Sequence, residues 1–205
     1  MRKEKNYIQD IAEIRSMMER SSKFLSLSGW AGAMAGIYAL IGFYIVNSIL
    51  DFNPTLILYD TIDSFPIINY VFITAILVLV LAVATAVYLS YKRAVKIGES
   101  IWNSTSKRLL ADMGIPLAVG GILILIFISK NLIGLIIPFT LLFYGLALYN
   151  TSKFTYNEVK YLGIIQMLLG LIALLFIEYS IYFWALGFGM VHIIYGVYLH
   201  YRYER

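Results

Sequence analysis

The stretch Asn69-Tyr-Val-Phe-Ile-Thr-Ala-Ile-Leu-Val-Leu-Val-Leu-Ala-Val-Ala-Thr-Ala-Val-Tyr-Leu-Ser90 runs for 22 residues without a charge. A helix rises ~1.5 Å per residue, so about 20 apolar residues cross the ~30 Å hydrocarbon core of a bilayer. Five further runs share this character: Gly29–Leu50, Pro116–Ser129, Leu132–Asn150, Val159–Ile177 and Ile181–His200. Pro116–Ser129 is short and reaches membrane length by drawing on Ala111–Ile115. Gly29–Leu50 starts too late and runs too long for a signal-peptide core, so it reads as a retained helix. The composition agrees: 60% of the residues are hydrophobic and 14% charged, against roughly 25% charged in a soluble domain. The expected fold class is all-α: a polytopic bundle over residues 28–205, with six transmembrane helices in three in-out-in hairpins.

The charges orient this bundle. Fifteen of the sixteen Lys and Arg residues fall in segments that share one side, and only Lys130 falls on the other. Asp51, Asp60, Asp63 and Glu178 lie opposite the basic side. Basic residues concentrate in cytoplasmic loops, so both termini are expected in the cytoplasm. The net charge of +4 is thereby used on membrane orientation rather than nucleic acid, for which no soluble module is long enough. Lys96, Trp102, Lys107 and Arg108, in the inner loop 91–115, suit anionic lipid headgroups or a simple interfacial anchor.

Local signals fill in the connections. Residues 1–27 place Tyr7, Ile11, Ile14 and Met18 at four-three-four spacing, an amphipathic cytoplasmic helix. It can lie on the lipid surface, pack under the bundle or self-associate. Gly29, Gly32 and Gly36, with Gly189 and Gly196 in the last span, are small residues of the kind that let membrane helices approach closely. Pro116 suits a first helical turn, Pro138 predicts a kink, and Thr155-Tyr-Asn-Glu158 has the form of a capping box. Residues 51–68 make the one sizeable outer loop, and its aspartates lack calcium-loop spacing. A faint echo relates the hairpins: Tyr144-Gly145 matches Tyr195-Gly196. Tyrosines near both ends of the spans read as aromatic belts.

Function classes are mostly removed rather than indicated. With no cysteine, thiolate catalysis, disulfides, cysteine-ligated zinc and iron–sulfur clusters are excluded. No Asp, Glu, Lys or Arg occupies a helix centre, which disfavours a carboxylate-driven transporter or a retinal pigment. His192 and His200 are ~12 Å apart along one helix, so they cannot clamp a haem iron, and no third histidine completes a zinc site. No metal or cofactor is expected, and nothing resembles a catalytic set. His192, near the centre of the last span, is the exception. It is either a ligand-binding imidazole, with Gln166, Tyr195 and Trp184 near it, or one end of a cross-helix hydrogen bond to Gln166 or a tyrosine.

Three segments carry a resemblance. These are Ile14-Arg-Ser-Met-Met-Glu-Arg-Ser-Ser-Lys-Phe24, Leu142-Phe-Tyr-Gly-Leu-Ala-Leu-Tyr-Asn150, and Phe183-Trp-Ala-Leu-Gly-Phe-Gly-Met-Val-His-Ile-Ile-Tyr-Gly196. Together they resemble a family of small, uncharacterised six-helix membrane proteins of Bacteroidetes-type bacteria. The resemblance implies a bacterial inner membrane and no particular activity. Two function classes stay open. One is a non-enzymatic accessory or sensor protein that binds lipid, a protein partner or its own copies. The other is a transporter or channel for a small neutral or apolar solute, with its path near His192.

Overall fold

A computed structural model describes residues 26–52, 65–98 and 100–205. The expected amphipathic helix (all but its last two residues) and most of the outer loop, with Asp60 and Asp63, lie outside the described residues. Six helices are long and apolar enough to cross a membrane: α1 (Gly29–Ile49), α2 (Ile67–Ile97), α3 (Ser104–Ser129), α4 (Ile133–Phe154), α5 (Glu158–Leu175) and α6 (Ile177–Tyr203). No strand occurs among the described residues. The chain is a helical membrane bundle.

The inner loop expected over 91–115 is mostly helix. α2 runs on to Ile97 and α3 begins at Ser104, so only a short link separates them. Gly98 closes α2 with a left-handed φ of 73°, the region glycine enters without strain. At α3 the Asn103 side chain accepts from Ser106 N at 2.8 Å, while Ser106 Oγ accepts from Asn103 N at 3.0 Å. That reciprocal pair is the capping box of this fold. The one expected at Thr155–Glu158 does not form: Asn157 precedes α5 without a side-chain cap, and Glu158 turns instead to Arg202 and Tyr203.

The prolines also differ from expectation. Pro116 lies inside α3 rather than in its first turn, because the helix starts twelve residues earlier. Pro138 lies in the first turn of the α-helical part of α4, Ile136–Thr151, after a 3₁₀ turn at Ile133–Leu135. A first-turn N–H has no intrahelical partner, so Pro138 removes nothing and no kink is required. The tight turn between α3 and α4 is as expected and is a Schellman motif. Asn131 adopts φ 57°, Leu132 N donates to Phe127 O at 2.8 Å, and Asn131 N donates to Ile128 O at 3.2 Å.

Packing is set by small residues, since lipid tails supply no hydrophobic drive between helices. Along the α1–α6 seam, a Cβ added to Gly29 would lie 2.5 Å from Gly196 O, and one added to Gly36 would lie 2.6 Å from Gly189 O. Gly32 faces Gly196 and Tyr195, and Gly189 faces Leu40. All five glycines singled out in sequence therefore line one intramolecular seam. A second seam joins α4 to α5, where Gly145 and Gly163 face each other's carbonyls and Gly170 meets Pro138 and Leu142. Gly42 beneath Val78 joins α1 to α2, and Gly120 beneath Phe143 joins α3 to α4.

The closest seams thus run between hairpins, giving the spatial order α2, α1, α6, the α4–α5 pair, then α3. In the most apolar window of α2 none of the residues is buried, and in α3 only 11% are, against 39% in each of the other four helices. α2 and α3 are the flanks, and their apolar faces meet lipid.

The starts of α1, α3 and α5 and the ends of α2, α4 and α6 share one end of the bundle. Ion pairs Arg93–Glu204 and Lys153–Asp112 join them. We call this the basic end. The opposite end closes on Val46, Phe52, Ile133 and Ile181.

Candidate functional site

The buried polar groups of the span centres meet in one place. Gln166 of α5 is fully buried, and His192 of α6 is 4% exposed. Tyr144 of α4 places its hydroxyl 2.9 Å from His192 Nε2. On the other side of the ring, Nδ1 lies 2.8 Å from Gly187 O. A carbonyl only accepts, so Nδ1 carries the proton, Nε2 is the acceptor, and Tyr144 donates. Gln166 Nε2 donates to the same carbonyl at 2.7 Å. The 3.3 Å separation of Gln166 Nε2 from His192 Nδ1 is then an approach of two donors converging on Gly187 O, not a bond. A neutral imidazole satisfies the whole arrangement.

The carbonyl is presented by backbone irregularity. Residues Ala185–Val191 of α6 are π-helical, and such one-turn insertions often mark functional positions. Gly187 and His192 are five residues apart, the offset of a π-helical bond. Gly187 is also closely packed: a Cβ there would lie 2.5 Å from Gln166 Oε1 and 2.8 Å from Leu141 Cδ2. Aromatic rings wall the cluster, with Phe188 stacked on His192 at 5.8 Å and tilted against Tyr144 at 4.9 Å. Leu141 and Leu169 pack beneath.

Of the residues expected to form a ligand site, Gln166 and His192 meet on the Gly187 carbonyl. Trp184 is one step removed, tilted on Phe188 at 5.2 Å and packed on the Leu141–Leu169 cluster. Tyr195 packs beside Tyr144 against the Leu148–Leu199 cluster, and its buried hydroxyl has no hydrogen-bond partner among the described residues. Gln166 Oε1 is likewise unpartnered. Nothing in the sequence marks Tyr144 or Gly187 for this site, although a tyrosine hydroxyl is one of the two partners expected for His192.

A second constellation clasps the basic end. Arg93, at the end of α2, donates to Leu27 O, to Glu204 Oε1 at 2.6 Å, to Tyr156 Oη at 3.0 Å and to Tyr203 O at 3.1 Å. Glu204 in turn accepts from the first backbone N–H of α1, at Gly29, at 2.5 Å, and its other oxygen lies 2.8 Å from His200 Nδ1. A carboxylate at a helix N-terminus is favoured by the macrodipole. The Arg93 and Glu204 side chains are each only 13% exposed. Four chain segments thus close on one ion pair that the sequence did not single out. The available signal was the four-residue spacing from His200 to Glu204 on one helix face.

This clasp predicts an acid limit to stability. Burial opposes the Glu204 charge, but bonds from His200 and Gly29 N–H, with Arg93 beside it, outweigh burial and hold its pKa below the ordinary 4.5. A folded-state pKa below the unfolded value contributes stability above that value and loses it as pH falls through the folded one. Thermal midpoints should therefore fall as pH drops below about 4.5. Glu204→Gln should be less stable at neutral pH and flatter with acid.

The candidate headgroup residues all lie at the basic end. Lys96 is in the last turn of α2 and is exposed, as are Lys107 and Arg108. Trp102 is 64% exposed, with the Lys107 ammonium 5.5 Å from its ring centroid. Also at this end, an open polar groove of about 590 Å³ lies between the end of α4 and the start of α5. Among the described residues no group of three His, Asp or Glu side chains is placed to hold a metal.

Fold and buried cluster together define a polytopic α-helical membrane protein. No family model, no curated protein and no solved structure matches the chain.

Proposed function

We propose that this chain is a non-enzymatic accessory or sensor protein of a bacterial inner (cytoplasmic) membrane. In this reading both termini are cytoplasmic, and the basic end binds anionic lipid headgroups, a protein partner or a second copy. One observation carries it: the hydrogen-bonding nitrogens at the membrane centre are committed to partners inside the protein. Both nitrogens of His192 and the amide nitrogen of Gln166 are committed to Tyr144 and Gly187. An ionisable residue kept for transport faces a cavity or a charged partner; this one is walled by rings. The chemistry open to the environment is then the basic end, where nine of the ten cations among the described residues fall.

A second reading has its own support. The unpartnered Gln166 Oε1 and Tyr195 Oη, beside a π-helical segment, suit a small neutral solute that would satisfy them. A double-mutant cycle with native mass spectrometry separates the two. Under the accessory reading, His192→Ala and Tyr144→Phe each lower the thermal midpoint, with a coupling of about 0.6–2 kcal/mol, typical of membrane hydrogen bonds. Nothing bound to the wild type disappears. A stoichiometric small molecule lost in His192→Ala, at an unchanged midpoint, would replace this reading with the solute pathway.

A further inference from the structure

We infer that the open groove between α4 and α5 is a binding site for the phosphate of an anionic phospholipid, with Lys153 and Lys160 as its charge-bearing donors. This rests on the reading of the basic end as the lipid-engaging face and names the ligand of that face. The groove is lined by Tyr149, Asn150, Lys153, Asn157, Lys160 and Tyr161, among others. No carboxylate contributes to that lining. A phosphate needs positive charge and several donors converging on its oxygens. Two ammonium groups and two carboxamides supply the charge and the donors, with the Asp112 carboxylate standing behind Lys153.

The two lysines are in different states. Lys153 Nζ lies 2.5 Å from Asp112 of α3, so it is partly neutralised. Lys160 sits 5.8 Å from the Tyr149 ring centroid, a cation–π contact, and among the described residues no carboxylate pairs with it. With Asp112 against Lys153 and no carboxylate against Lys160 among the described residues, the groove keeps a net positive charge that Asp112 moderates.

A lipid, rather than free phosphate, is indicated by what lies beneath. Tyr161, Ile165, Leu168, Ile172 and Leu175 are exposed and recur at four-three-four-three spacing along α5. One stripe thus descends from the groove into the bilayer, where acyl chains of a lipid anchored above would lie. Tyr161 belongs to both the groove and the stripe.

The test uses the full chain in a neutral detergent. Dioleoyl-phosphatidylglycerol and dioleoyl-phosphatidylcholine are offered in equal amounts, and the retained lipid is read by native mass spectrometry. Wild type should prefer phosphatidylglycerol. A lysine near an anionic surface is worth about fivefold in affinity, so Lys153→Gln with Lys160→Gln should lose roughly thirtyfold. The double Arg variant should keep most of the preference, and Lys130→Gln, at the opposite end, should change nothing. Asp112→Asn should strengthen retention several-fold, an effect that damage to the fold cannot mimic. Unchanged phosphatidylglycerol retention in the double Gln variant, at a native thermal midpoint, overturns the site. Displacement of the lipid by millimolar inorganic phosphate makes it a free-anion site and overturns the lipid assignment. The His192 experiment reads a different part of the molecule, so a solute found there leaves these outcomes intact, and the reverse holds too.

Discussion

Gly196→Val should separate α1 from α6 and lower the thermal midpoint of the detergent-purified protein more than any other single glycine substitution. A Cβ at this position would lie 2.3 Å from Ala33 N, 2.5 Å from Gly29 O and 2.9 Å from Gly32 C. All three are backbone atoms, so no rotamer change makes room. The seam must open along its length, and with it the contacts of Gly29, Gly36 and Gly189 are lost. Overpacking a fitted core costs about 1–3 kcal/mol and occasionally more; here the expected cost is at least about 3 kcal/mol. Gly114→Ala and Gly121→Ala are the controls, since a Cβ at either meets nothing within 4 Å. They should be neutral or raise stability by about 0.5–1 kcal/mol, as alanine favours a helix. Equal effects at Gly196 and Gly114 would show that the seam is not what holds α1.

Arg93→Ala should come next in size. It removes the donor shared by Leu27, Glu204, Tyr156 and Tyr203, and leaves the mostly buried Glu204 carboxylate short of its cation. Breaking one side of a buried pair costs about 3–5 kcal/mol. Most of that cost is the stranded charge, so Arg93→Ala with Glu204→Gln should recover part of the loss at neutral pH. Arg93→Lys should recover little, because an ammonium cannot serve four acceptors spread across a planar fork. Thermal midpoints at neutral and acid pH check both statements. An additive double mutant would mean that Arg93 acts through packing alone.

These two sites were unequally visible in the sequence. Gly196, with Gly29, Gly32, Gly36 and Gly189, was legible as a close-packing residue, because small side chains in apolar spans have few other uses. Which helix they face was not, since lipid-facing and helix-facing residues are equally apolar. In the sequence Arg93 is one more basic residue beside the membrane. Its partner Glu204 comes from the far end of the chain, and nothing in local spacing links positions 111 residues apart. The mid-membrane cluster falls between these cases. His192 and Gln166 stood out as polar residues in apolar runs, while Gly187 did not. A helical wheel drawn at 3.6 residues per turn places His192 with Ala185, Gly189 and Gly196. The π segment Ala185–Val191 adds a residue to the turn, rotates what precedes it by about 100°, and brings the Gly187 carbonyl to the imidazole.

The capping box shows the same division at small scale. Thr155-Tyr-Asn-Glu158 has the required residue types, yet Glu158 is drawn to Arg202 at 3.1 Å and Tyr203 at 3.0 Å. The box forms instead at Asn103–Ser106, where no tertiary ion pair competes for the side chains. By itself the sequence determined the class: six spans, their number and alternation, because the length of an apolar run is measured against a bilayer of set thickness. It also determined which ends carry the positive charge. The tertiary structure alone decided the helix order α2–α1–α6–(α4,α5)–α3, the partner of each glycine and the path of every buried hydrogen bond. Backbone approach and polar pairing in lipid depend on geometry between distant segments, and hydropathy, which places each span in the membrane, is blind to its neighbours.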